Sequence, residues 1–93
     1  RTLFSAGVLP YYLHQLAQQA LAAHRYEDAD RLLRRAISFN DEDYRFHYDL
    51  ARTRALLGEN AAAQKSLERA RNLAPANILL TAVNPGDLLP PSD

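Results

Sequence analysis

Residues 26–43 read YEDADRLLRRAISFNDED, and residues 60–77 read NAAAQKSLERARNLAPAN. A shift of 34 positions lays one stretch on the other. Ala29 falls on Ala63, Arg31 on Lys65, Leu33 on Leu67, Arg35 on Arg69, Ala36 on Ala70 and Phe39 on Leu73. The same shift upstream places Tyr12 on Phe46, Leu16 on Leu50 and Ala17 on Ala51, with no gap from residue 10 to residue 77. A fixed period of this length marks stacked helix-turn-helix units, so the fold class is all-α.

Hydrophobic spacing divides each unit into two helices. Leu13, Leu16, Ala17, Ala20 and Leu21 recur at three- and four-residue intervals after Pro10, a residue suited to a first helical turn. They predict helix A of unit 1 over 10–23, with His24-Arg25 as the turn. Helix B of unit 1 is expected over 26–39, with a stripe of Ala29, Leu32, Leu33, Ala36 and Ile37. Acids Glu27, Asp28 and Asp30 precede Arg34 and Arg35, which suits the helix dipole. Glu27–Arg31 and Asp30–Arg34 are spaced as i,i+4 ion pairs. The run Asn40 to Asp43 is rich in capping residues and predicts the start of helix A of unit 2, about 43–57. Gly58 fits the left-handed stop after it. Asn60 is expected to cap the last repeat helix, 60–73, which Pro75 ends.

These boundaries give one domain over 1–93. Unit 1 occupies 10–43 and unit 2 occupies 44–77. Residues 1–9 are expected to act as an N-terminal cap or linker, 78–83 as a short capping helix that Asn84-Pro85-Gly86 stops, and 84–93 as an extended tail. The chain begins at Arg1 without a Met, which points to a piece of a longer or processed protein.

Composition excludes several function classes. Positive and negative side chains balance to a formal charge of zero, which argues against long-range attraction to nucleic acid or anionic lipid. No apolar run approaches a membrane span, so direct membrane insertion is not expected. Without cysteine there is no disulfide, thiolate metal site or cysteine nucleophile. Arg exceeds Lys ten to one, a compositional habit of GC-rich bacterial genomes.

The 34-residue unit resembles the tetratricopeptide repeat. The family wants Leu-Gly or Leu-Ala in helix A, an aromatic near the turn, Ala early in helix B, a large residue four on, Ala three further, and a closing Pro. Unit 1 supplies Leu16-Ala17, Tyr26, Ala29, Leu33 and Ala36. Unit 2 supplies Leu50-Ala51, Ala63, Leu67, Ala70 and Pro75. The resemblance implies a short right-handed superhelix in which these are packing positions. The departures are Asn60 for the turn aromatic, Asp41 for the first unit's Pro, and Arg71 where Ile37 stands one unit earlier. Arg71, together with Arg54 on the packed side of helix A, suggests an array that ends with unit 2. Leu79, Leu80 and Val83 would then cover its end, or a second copy of the chain would.

Catalytic and metal constellations are missing from the sequence. His14, His24 and His47 show no HxxxH or HExxH spacing. Asp41-Glu42-Asp43 lacks the glycine and distant Glu of a calcium loop and reads as a capping cluster. Ser5, Ser38 and Ser66 have no neighbouring base with an orienting group. Arg31, Arg34 and Arg35 are partly offset by acids and read as a solvated face. No cofactor and no metal is expected.

The resemblance instead implies partner binding on the concave face of the A helices. By register that face carries Tyr11, His14, Gln18 and Leu21 from unit 1, and Arg45, Tyr48, Arg52 and Ala55 from unit 2. Tyrosine supplies rigid contact area and arginine grips carboxylates, so a protein or peptide partner, acidic in part, is the expected ligand. His14, Gln18 and Tyr48 do not supply the Lys and Asn set of the family's chaperone-tail clamp. Two alternatives stand beside this non-enzymatic scaffold or adaptor: a homodimer formed through the repeat ends and the tail, and a regulatory appendage of a larger bacterial enzyme or envelope or secretion protein.

Overall fold

The computed structural model describes residues 7–74, which form four helices: α1 (Leu9–Ala22), α2 (Tyr26–Phe39), α3 (Tyr44–Leu56) and α4 (Asn60–Leu73). The expected capping helix, the tail and the Pro75 stop lie outside the described residues, as does most of the N-terminal cap. Helices α1 and α2 pack as one hairpin, α3 and α4 as a second, and α2 against α3 joins them.

The two hairpins close by the same device. After α1, His24 takes φ 61°; after α3, Gly58 takes φ 80°. These residues are 34 positions apart. At the first stop the N–H of Arg25 reaches Ala20 O at 2.8 Å and that of His24 reaches Leu21 O at 3.0 Å. At the second, Glu59 reaches Arg54 O at 2.8 Å and Gly58 reaches Ala55 O at 3.0 Å. The left-handed residue turns the chain so that orphaned carbonyls of the last turn find donors.

This tight reversal corrects one expected cap. The carbonyl of Glu59 already accepts the first helical bond, from Ala63 N at 2.9 Å. Asn60 is therefore inside α4, and Glu59 at the cap position makes no side-chain cap bond. One expected ion pair is also replaced. Arg34 Nε meets Asp30 Oδ2 at 2.9 Å, but Arg31 turns to Asp28 rather than Glu27. Asp28 lies one residue nearer along the same helix face, and it also draws Arg25 at 3.7 Å.

The core is built from small residues where helices approach and large ones between them. Ala17, Ala29, Ala36, Ala51, Ala63 and Ala70 are fully buried, as are Leu33 and Leu67, and Leu50 nearly so. Leu33 fills the space between Ala17 and Leu50, joining α1, α2 and α3. Leu67 packs on Ala51 beside Tyr48. Leu16, one unit before Leu50, is only half-buried. The difference follows from position in the stack, since α3 packs on both α2 and α4 whereas α1 is an end helix of the described stack.

Candidate functional site

Three cross-helix contacts organise the face expected to bind. Phe46 of α3 is fully buried and inserts between the units, against Leu13 and Ala36. Its ring lies 5.6 Å from Tyr11 and 4.9 Å from His14, both tilted contacts between aromatic rings. Beneath them His14 Nε2 donates to Asp49 Oδ2 at 2.6 Å. Both residues are 8% exposed, so this polar bridge ties α1 to α3 inside the protein. Thr53 adds a buried bond from its hydroxyl to Asp49 O at 2.7 Å.

The entrance to α3 is equally well defined. Asp43 caps it, accepting from Arg45 N–H at 2.9 Å through Oδ1. The Arg45 guanidinium returns to the same carboxylate, Nε at 3.0 Å and Nη2 at 2.6 Å, a two-pronged charge-assisted grip. That side-chain bond is the main reason the Asp43 carboxyl is held below its ordinary value, and the Arg45 guanidinium is raised by the same contact. Arg45 also lies over the Tyr11 ring, 5.7 Å from its centroid. Tyr11, Asn40, Glu42, Asp43, Tyr44 and Arg45 enclose an open depression of about 390 Å³.

The carboxyl shift fixes the sign of a pH effect. A group held low in the folded state stabilises it above the unfolded value, about 3.9, and that contribution disappears as pH falls through the folded value. Asp43→Asn keeps a capping oxygen but removes the charge. Thermal melts should show the wild type more stable than Asp43→Asn at pH 7, with the gap closing below about pH 3.9. A gap that does not change with pH would show that the Arg45 grip contributes nothing to folding.

The residues expected on the A-helix face divide into two sets. Tyr11, Gln18, Arg45 and Arg52 are exposed and Tyr48 is half-buried. His14 and Leu21 are not on the surface, as expected, but inside. His14 is held by Asp49, and Leu21 packs with Ala20 and Ala29 against Tyr26 and Leu56. Ala55 is also buried, at 6% exposure. The structure brings Tyr11 and Arg45 together. Arg52, one turn and three residues past Arg45 and in register with Gln18, makes no ion pair or hydrogen bond with any described residue.

Sequence reasoning missed Asp49. It lies one position past Tyr48 in a run of mixed polarity, and nothing local says that its partner sits 35 residues earlier. The partners of Arg54 were not legible either. It stands on the packed side of α3, as expected, but its charge is met there, with Nε 3.5 Å from Asp30 Oδ1 and Nη1 2.9 Å from Ser66 Oγ, so its presence is no sign of where the array ends. That oxygen of Asp30 is buried and has no hydrogen bond, so Arg54 serves it only as a nearby charge.

Among the described residues no group of three His, Cys, Asp or Glu could hold a metal ion, and no helix is long and apolar enough to cross a membrane. The family model described as tetratricopeptide repeat matches residues 20–83, more than half of the chain. The chain belongs to the tetratricopeptide repeat family. The match starts within α1 and covers α2, α3 and α4, the elements whose alanines and leucines repeat at 34 positions. Domains of this family generally mediate protein–protein interaction and are typically non-catalytic. No curated protein and no solved structure matches the chain.

Proposed function

We propose that this tetratricopeptide domain is a scaffold or adaptor module that holds a segment of a partner protein on the exposed side of α1 and α3. The observation that carries the reading is Arg52. It is an exposed guanidinium without a described partner, set beside half-buried Tyr48 and in register with exposed Gln18. Arg45 has a different role from the one its charge suggests. Asp43 already holds it, so it supports the Tyr11 ring and the rim of the 390 Å³ depression rather than offering a free cation. A partner carboxylate would meet Arg52, and an apolar side chain would lie against Tyr11 and Tyr48.

Arg52→Glu should weaken binding of a partner fragment recovered by pull-down by about tenfold, equivalent to about 1.4 kcal/mol, while the melting temperature stays unchanged. Calorimetric titration against purified fragment measures it, and unchanged affinity would sink the reading. Self-association would instead use Val8, Tyr12 and Phe39, each more than two-fifths exposed, and Arg52→Glu would leave such an interface intact.

A further inference from the structure

A second surface lies on the other side of α3. In a helix of 3.6 residues per turn, Arg45, Tyr48 and Arg52 project from one side, and His47, Leu50 and Arg54 from roughly the opposite one. There α2, α3 and α4 enclose a depression of about 280 Å³. Its floor includes half-buried Ile37 and buried Leu50. Around it stand four cations, Arg34, Arg54, Lys65 and Arg69.

The acids nearby do not balance them. Asp30 is shared, binding Arg34 at 2.9 Å and lying 3.5 Å from Arg54. Asp41 faces Arg69 from the edge at 3.9 Å, and its backbone carbonyl takes bonds from Arg69 Nη2 at 3.3 Å and His47 Nε2 at 2.9 Å. Lys65 pairs with no described residue. Among the described residues, two carboxylates against four cations leave local positive charge in a chain whose formal net charge is zero.

We propose that this depression binds an acidic peptide segment of a partner protein, one that places an aliphatic side chain between two carboxylates. The aliphatic group would rest on Ile37 and Leu50. The carboxylates would meet Lys65 on one side and the exposed face of Arg34 or Arg69 on the other. The volume is below the usual 300–1,000 Å³ of small-molecule pockets, which suits one or two side chains better than a cofactor. Single-stranded nucleic acid is the poorer fit, because its bases need aromatic platforms and no Phe, Tyr or Trp is among the described residues that line this site. The inference does not depend on the A-helix face.

The test is fluorescence anisotropy of the full chain with a labelled peptide carrying Asp-Leu-Asp, at low and high salt. Saturable, salt-sensitive binding is expected. Lys65→Glu should weaken it about tenfold, as should the Asn-Leu-Asn peptide. Arg35→Glu, an equal charge change on an exposed part of α2, should leave it within about twofold. Lys65→Ala, which adds no acid, should show an intermediate loss, and circular dichroism confirms that each variant is folded. Loss with Arg52→Glu but not Lys65→Glu would place acidic peptides on the A-helix face and overturn this proposal without touching the other. It is equally overturned if nothing saturates, if inorganic phosphate displaces the peptide with equal affinity, or if an oligonucleotide binds more tightly than the peptide.

Discussion

Phe46→Ala is expected to cost about 3–5 kcal/mol, the usual range for truncating a buried aromatic. A domain of this size has about 5–14 kcal/mol in all, so the variant would retain little stability. The side chain has no exposure and touches Leu13, Ala36, Tyr11 and His14, which come from both helices of unit 1. Removing it opens a cavity at the junction of the hairpins. Neither hairpin can close that space alone, because each is already set by alanines packed to contact. Thermal melting should fall by at least about 12 °C. A cost under about 1 kcal/mol would mean that the two units are not docked as described.

Asp49→Leu should cost about 1–3 kcal/mol, because it strands the buried His14 Nε2 donor with no acceptor. The informative comparison is the cycle with His14→Leu. Replacing both partners by apolar groups removes the unmet donor along with the acceptor, and such double changes are often close to neutral. The double variant is therefore expected to be more stable than Asp49→Leu alone, with a coupling between the sites of about 1 kcal/mol or more in denaturant titrations. Additive losses would show that the two side chains do not meet. The pair would then be no part of what aligns α1 with α3.

Both predictions concern contacts that no local pattern displays. The helices themselves were legible. Residues 26–39 and 60–73 are helical over the spans expected, and the two A helices differ from expectation by one residue at each end. Helical spacing of apolar residues and the placement of Gly58 act over a few positions, so the sequence shows them directly. The candidate site was legible only in part. Register placed Tyr11, Gln18, Arg45 and Arg52 where they are exposed, but not His14, Leu21 and Ala55, which neighbouring helices cover.

Repeat-equivalent pairs show where sequence stops deciding. Tyr12 and Phe46 hold the same position in successive units, yet Tyr12 is 42% exposed and Phe46 is fully buried. His14 and Tyr48 are likewise equivalent, and one is enclosed by Asp49 while the other is half-exposed. Arg54 looked misplaced on an apolar stripe until Asp30 and Ser66 were brought to it from two other helices. The sequence by itself determined the repeat, its helices, its turns and the small residues that let helices touch, because each depends on neighbours within a turn or two. Only the tertiary structure decided the His14–Asp49 bridge, the placement of Arg54 and the basic depression beyond it. Those depend on which face of one helix is pressed against another, and a period of 3.6 residues names the face without naming what it meets.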